Sequence, residues 1–451
     1  MAEWSERLST SMRHSQTLRL LAVGFLVLLL LIPIGMIRGL VLERQERQAI
    51  AVDDISSKWG KIQHIAGPFL VVPYTIEVVE PQPDGRSILR RVGRNAVFLA
   101  ETLSTQARIE TEKRSRGIYS VSVYKLDLVA AGRFSRPDFS ALGIEPLSVE
   151  WDRMQLVLGI SDTRAIQKHS AVNWNGAEIP LMPGSGTYAA TRPGIHAVVG
   201  FADGLSAVDF SLPLSLNGSQ GVYFVPFGES TVVRLESNYP HPSFQGNWLP
   251  TDRNVGTRGF DADWSIPFLG RSFPQAWTES DKLNFADIVE NSRFGVDFVN
   301  PVDHYSMAER SVKYAGLFIL LTFATLWLFE VRADVRVHPI QFLMLGGALC
   351  LFYLLLLSIS EHLPFLVAYL IASIVVIGMV ASYGLIVLGA LSRALAIGTV
   401  VAMLYGHLYV LLINEDYALL LGSIGLFLIL AVIMYATRKV DWYAVGRKSG
   451  S

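Results

Sequence analysis

The chain has 451 residues, 51% of them hydrophobic, and a mean hydropathy of +0.37, which is too apolar for a wholly soluble protein and long enough for two or three ordinary domains. A formal net charge of -1 gives no overall pull towards nucleic acid or an anionic surface. The lone cysteine, Cys350, stands inside an apolar run and excludes both an intramolecular disulfide framework and a cysteine-based zinc site.

A membrane-crossing helix needs about 20 mostly apolar residues, because the hydrocarbon layer is about 30 Å thick and a helix rises about 1.5 Å per residue. After a polar start with Arg7, Arg13 and Arg19, residues 20–37 (LLAVGFLVLLLLIPIGMI) meet that requirement. The stretch is longer than the core of a cleaved secretion signal, and no small-x-small cleavage site precedes Arg38, so an uncleaved anchor is expected. Residues 40–58 set Leu40, Ile50 and Ile55 among charges, as a helical stalk would.

From there to Arg310 the pattern is mainly that of sheet. Residues 117–128, 147–159, 206–216 and 221–236 are rich in Val, Ile, Tyr and Phe with period-two alternation, the mark of half-buried strands. Turns are expected at Pro83-Asp84-Gly85, Asn175-Gly176, residues 183–186, Arg192-Pro193-Gly194 and Asn217-Gly218. Together these suggest a twisted antiparallel sandwich or a pair of them. One helix is expected over 280–291, with Leu283, Ile288 and Val289 near one face and Ser280 or Asp281 as its cap.

Five further apolar runs follow at 314–329, 340–358, 366–389, 395–413 and 418–436. With the N-terminus placed inside, Lys and Arg concentrate on the cytoplasmic side, at Arg332 and Arg336, Arg393, then Arg438, Lys439, Arg447 and Lys448, and both termini are expected there, as an even number of spans requires. The two short outer turns carry Glu361, His362, Glu415 and Asp416 instead. The expected architecture is a membrane α-helical protein with six spans plus a large mainly-β, sandwich-like periplasmic domain. Its parts are a cytoplasmic N-terminus (1–19), an anchor helix (20–37), the periplasmic domain with its stalk (38–313), a five-helix bundle (314–436) and a cytoplasmic tail (437–451).

Catalytic signatures are missing. The sequence holds no G-x-S-x-G, H-E-x-x-H, Walker A or G-x-G-x-x-G pattern, and none of the nine histidines has metal-ligand spacing. No catalytic, cofactor-binding or metal residue is therefore assigned, although a site assembled from distant residues leaves no local trace. Residues 239–250 (YPHPSFQGNWLP) are the most distinctive soluble segment. They read either as an interaction loop offering His241, Phe244, Asn247 and Trp248, or as a proline-braced connector whose aromatics plug a core.

Asp303-His304-Tyr305 reads as part of an acid-base site or as an interfacial hydrogen-bond cluster, and Asp162 with Arg164 as a turn holding a local ion pair. Arg86, Arg90, Arg91, Arg94, Arg108, Lys113, Arg114 and Arg116 form either a polyanion-binding stretch or the solvated face of strands. In the fifth span Ala394, Gly398, Ala402 and Gly406 make a small-residue stripe that admits a close neighbour, followed by His407 between Tyr405 and Tyr409.

Several segments carry a family resemblance. They are 31–38 (LIPIGMIR) with Glu43-Arg44, 66–73 (AGPFLVVP), 240–249 (PHPSFQGNWL), Tyr314-Ala315, His338-Pro339 with Gln341, 352–360 (FYLLLLSIS) with Glu361-His362, 418–422 (ALLLG) and Asp441-Trp442-Tyr443. Through these the chain resembles, nearly end to end, the CreD family of cell envelope integrity proteins. The resemblance implies a bacterial inner-membrane location, a periplasmic domain, induction by a two-component system, and effects on envelope integrity and on tolerance to some colicins and β-lactams. It carries no catalytic residues. The function expected is non-enzymatic envelope maintenance, with the lipid bilayer and envelope polymers or other envelope proteins as partners. A transporter or lipid-handling permease, or a periplasmic hydrolase with a dispersed site, are the alternatives.

Overall fold

The computed structural model describes residues 16–438, apart from 82, 84–86, 169, 187–192, 203, 282, 300–302 and 334–336. Arg7, Arg13, the Asp84-Gly85 turn, Arg86, Arg192, Arg336 and everything after Arg438 lie outside the described residues. The chain divides into two compact units at Ala49/Ile50 and Pro301/Val302.

The first helix, α1, runs unbroken over Gln16–Trp59, 44 residues, so the expected anchor and stalk are one element. Pro33 lies inside its apolar part, a position that membrane helices accept because the environment can re-satisfy the freed carbonyl. Its polar part is supported by (i, i+4) ion pairs, Glu43–Arg47 at 2.6 Å and Asp54–Lys58 at 2.8 Å. Residues from Ile50 onward belong to the β-rich unit. There the Trp59 indole N–H donates to Tyr124 O at 3.1 Å, the Arg114 guanidinium lies 3.5 Å over the Trp59 ring, and Arg116 pairs with Asp54.

The β-rich unit is built from β1 (Gln63–Pro81), β2 (Ser87–Arg116), β3 (Tyr119–Ser135), β4 (Ser148–Val149), β5 (Met154–Ile160), β6 (Ala171–Trp174), β7 (Ala177–Pro180), β8 (Met182–Pro183) and β9 (Gly194–Val199). It continues with β10 (Ala207–Ser219), β11 (Gly221–Val225), β12 (Gly228–Ser237), β13 (Pro242–Gly246), β14 (Asp252–Gly256), β15 (Gly259–Pro267), β16 (Ala276–Thr278), the short helix α2 (Phe285–Asn291) and β17 (Phe294–Phe298). One sheet runs β8-β9-β5-β1, where β1 pairs first with β11 and then with β2; β11 leads on to β17 and β13, and β2 to β16. The other runs β7-β6-β10-β3-β2-β12-β15-β14. The two sheets share β2, whose first half pairs with β1 and whose second half pairs with β3.

Burial follows from this layering. Along its second half β2 alternates, with Leu103, Thr105, Ala107 and Ile109 buried between exposed neighbours, as a strand with one wet face must. Ala96 to Ala100 are all buried, as are β5 and β11 throughout, because those strands are covered on both faces. Buried side chains of both sheets form one continuous core. Two pairings, β1 with β11 and β2 with β12, are parallel, so the sandwich is mixed and not purely antiparallel. The expected helix over 280–291 is shorter. Asn284 caps α2 by accepting from Ala286 N–H at 3.0 Å, while Asp281 is held back by Thr278 N–H at 2.7 Å. The buried face is Phe285, Ile288 and Val289, with Leu283 left 38% exposed before the helix begins.

The remaining helices are α3 (His304–Ala333), α4 (Pro339–Ser360), α5 (Phe365–Leu388), α6 (Leu391–Ile413) and α7 (Ala418–Thr437). With α1 they make six helices long and apolar enough to cross a membrane. α3, α4, α5 and α6 pack in a ring, each against the next and α6 back on α3, while α7 touches α6. His338 opens α4 with a capping box: its N–H donates to Gln341 Oε1 at 2.9 Å, its Nδ1 accepts from Ile340 N–H at 3.3 Å, and Pro339 takes the first turn.

The small-residue stripe of α6 serves a neighbour over only half its length. Ala394 and Gly398 are buried against α5, where a Cβ on Gly398 would stand 3.2 Å from Ala381, whereas Ala402 and Gly406 are exposed. At 3.6 residues per turn a strict four-residue repeat drifts about 40° at every step, so the stripe winds off the contact.

Candidate functional site

Residues 239–250 form the outer edge of the first sheet. Tyr239 anchors the segment, its hydroxyl donating to Val299 O at 2.7 Å and its ring set edge-on to Phe298. β13 then pairs with β17 from Pro242–Phe298 to Gly246–Phe294. Phe244 turns its ring edge-on to Phe260 and Trp264, and Trp248 does the same to Phe294 while its carbonyl accepts the Trp264 indole N–H at 3.1 Å. These two aromatics brace the segment onto the core. Asn247 is exposed but tied, its backbone N–H donating to Arg293 O at 3.0 Å and its amide to Asn291 O. His241 stands exposed beside Tyr239. The four residues singled out from the sequence are therefore split, two facing inward and two outward.

Next to this segment lies an open groove of about 560 Å³. Its walls come from β2 (Arg108, Ile109, Glu110), the end of β12 (Glu236, Ser237, Asn238) and the β14–β15 hairpin (Asn254, Thr257, Arg258, Asp261). Phe260, which backs the groove, is the residue that meets Phe244. Bonds between strands link the walls. Arg108 pairs with Glu236 at 3.1 Å, and Asn238 Oδ1 accepts from both the backbone N–H and the hydroxyl of Thr111 at 2.8 Å. The hairpin reaches the floor only because Gly259 has φ +136 and no side chain: a Cβ there would stand 2.0 Å from Ser237 O. Charges of both signs line the groove, and no single alternating motif marked it in the sequence, since its residues come from segments that meet only in the fold.

Other polar clusters of the unit are tied by local hydrogen bonds and ion pairs. Asp162 does more than pair locally with Arg164 at 3.0 Å: it also accepts from Lys61 N–H, and the fully buried Gln63 side chain bridges Asn217 O at 2.9 Å and the Asp162 backbone. Burial opposes the charge of Asp162, but the Arg164 guanidinium and the Lys61 N–H outweigh it and hold the carboxyl below the usual aspartate value. Tyr223 donates to Asp297 at 2.6 Å, and burial, then that bond and the Asp297 charge, push its hydroxyl well above the ordinary tyrosine value. The arginines of β2 are mostly paired, Arg90 with Glu80, Arg91 with Glu77, Arg114 with Glu112.

In the helical unit, Asp303 caps α3, accepting from Tyr305 N–H at 3.2 Å and the Ser306 hydroxyl at 2.5 Å. Tyr305 in turn donates to Glu361 at 3.1 Å, and Arg44 of α1 approaches the same carboxylate at 3.5 Å. Arg310 meets Glu415 at 2.8 Å. One end of the unit is thus laced by ion pairs. Deeper in the ring, Phe352 stacks on Tyr405 with centroids 4.2 Å apart and Tyr369 donates to Tyr405 O at 2.6 Å. The hydroxyls of Tyr353 and Tyr405 are buried with no hydrogen-bond partner among the described residues. His407 packs on α7, where a Cβ on Gly425 would fall 2.2 Å from its Nε2.

The comparisons with known proteins cover both units. A family model described as inner membrane protein CreD matches residues 15–443. The chain is 32% identical over 419 residues to the inner membrane protein CreD of Escherichia coli (strain K12), a match covering 93% of this chain and 92% of that protein. Neither description names an enzyme. Six apolar helices and a match of this extent make the chain a multi-pass inner-membrane protein with a large β-rich unit, and it belongs to the CreD family.

Proposed function

We propose that this protein maintains the integrity of the bacterial cell envelope without catalysing a reaction, through a β-rich unit held in the periplasm, with both chain ends in the cytoplasm. The observation that carries this reading is the polar groove beside residues 239–250. It is open, fixed by strands, and lined by Arg108, Glu110, Arg258 and Asp261, a mixture suited to the hydroxyls, amides and charges of an envelope polymer or an envelope protein. His241 and Asn247 extend that surface. Two buried ionisable groups of the unit, Asp162 and Tyr223, are spent on local bonds, which supports a binding role for the groove. The orientation rests on the lysines and arginines of the short loops, and a reporter fused at Gly218 tests it.

The decisive experiment is genetic. Deleting the gene under envelope stress is expected to change cell shape, β-lactam tolerance and detergent sensitivity, and Arg258→Glu with Asn254→Lys in the groove is expected to fail in complementation at normal protein level. His304→Ala is expected to complement; loss of complementation at normal level would favour a hydrolase. A second reading, a transporter or lipid-handling permease, is favoured by the buried Tyr353 and Tyr405 hydroxyls inside the helix ring. Cysteine labelling along α6 in a Cys350→Ala background discriminates the two, since only a permease offers water-accessible positions at mid-depth.

A further inference from the structure

Past the rows where β1 meets β4 (Tyr74, Thr75) and β2 meets β16 (Ala96 to Phe98), the two strands have only each other as partners among the described residues. Residues 76–81 and 87–92 thus form a two-stranded ribbon extending from the sheet, with no third strand on either edge. Such a ribbon is marginal alone in water. This one also leaves large apolar side chains uncovered: Val79 is 58% exposed, Ile88 54% and Leu89 65%.

The register sorts the ribbon into faces. Val79 is opposite Leu89 and Glu77 is opposite Arg91, and residues two apart share a face, so these four make one surface: an apolar pair flanked by an acid and a base. On the ribbon as a whole the acids, Glu77 and Glu80, are on β1 and the bases, Arg90 and Arg91, are on β2. Their mutual pairs are long, 3.5 Å each, and exposed, which leaves them free to exchange partners.

We infer that this ribbon is a homodimerisation arm whose partner is the same ribbon of a second copy of the chain. A surface that buries itself against its own twofold image must be self-complementary. Stacking two ribbons on the Val79–Leu89 face, with β1 of one over β2 of the other, brings the apolar pairs together and sets Glu77 of each copy beside Arg91 of the other. On this face a polyanion would meet Glu77 as repulsion, and a polycation Arg91. The balanced charge fits a like ribbon best.

The test uses the full chain in membranes, in a Cys350→Ala background so that no other thiol is present. Co-expressing a Val79→Cys copy with a differently tagged Leu89→Cys copy under mild oxidant is expected to give a disulfide-linked product of twice the chain mass that contains both tags. Leu269→Cys, at a residue 91% exposed elsewhere on the unit, co-expressed with the Leu89→Cys copy, is the control and is expected to give little. Glu77→Arg in both copies is expected to reduce the Val79→Cys with Leu89→Cys product severalfold, and Glu77→Arg with Arg91→Glu to restore it. Absence of the product with both copies at normal protein level, or capture of a different protein in its place, would overturn the inference.

Discussion

Gln63 is the sharpest place to test how the β-rich unit is held. Its side chain is fully buried and its amide donates to Asn217 O at 2.9 Å, with longer contacts of 3.3 to 3.4 Å to the Ser161 hydroxyl and the backbone of Asp162. Replacing it by Leu keeps the volume but orphans the Asn217 carbonyl inside the unit, a loss of about 1–3 kcal/mol for a buried unsatisfied group, with about 1 kcal/mol more for the three weaker contacts. Part is recovered through the added apolar burial, about 1 kcal/mol. The net expectation is about 2 kcal/mol, which raises the open fraction about 30-fold. Gln63→Glu keeps the shape and should be worse at neutral pH, because it sets an unpaired carboxylate against a carbonyl oxygen. Pulse proteolysis of the reconstituted full chain across a urea series reads the midpoint for cleavage within residues 50–301. A Gln63→Leu midpoint indistinguishable from that of the parent chain, or a Gln63→Glu variant more stable than Gln63→Leu at neutral pH, would refute the reasoning.

The depressed Asp162 carboxyl stabilises the unit fully above the ordinary aspartate pKa of 3.8, and the contribution is lost as pH falls through the lower folded value; acid unfolding below about pH 4 should lose this component in Asp162→Asn, which is also less stable at neutral pH. In the helical unit, Gly425→Val should force α7 off His407 at a cost of about 1–3 kcal/mol, and His407→Ala in the same chain should recover most of it, as read by thermal stability in detergent. Glu361→Gln and Tyr305→Phe should each lower that thermal stability, Glu361→Gln more because it also removes the charge facing Arg44.

How much of this was legible in the sequence depends on the range of the forces involved. The spans were, because about 20 apolar residues in a row have no other stable solvent. The alternating strands β10 and β12 were too, since each has one wet face that writes itself into the local pattern. β1 was not marked as a strand, because Phe69 to Val72 are all buried and the period-two signal vanishes when both faces are covered. The join of anchor and stalk was hidden by the change from apolar to charged residues, which alters the solvent but not the helix. Aromatics in residues 239–250 flagged a special segment, yet which of Phe244, His241, Asn247 and Trp248 turn inward depends on β17 and β15, elsewhere in the chain. Gln63 had no local signature at all, its main partner being 154 positions away.

The pairing of β1 sets the order in which the chain can become native. Its first residues need β11, which in turn rests on β17, so the earliest strand to be synthesised waits for Phe294–Phe298 before its neighbourhood is complete. A nascent chain stalled before that point holds bare strand edges and apolar surface, the conditions that favour aggregation and slow, non-local folding. The 44-residue α1 is finished long before, and it tethers the immature polypeptide while the C-terminal pieces emerge.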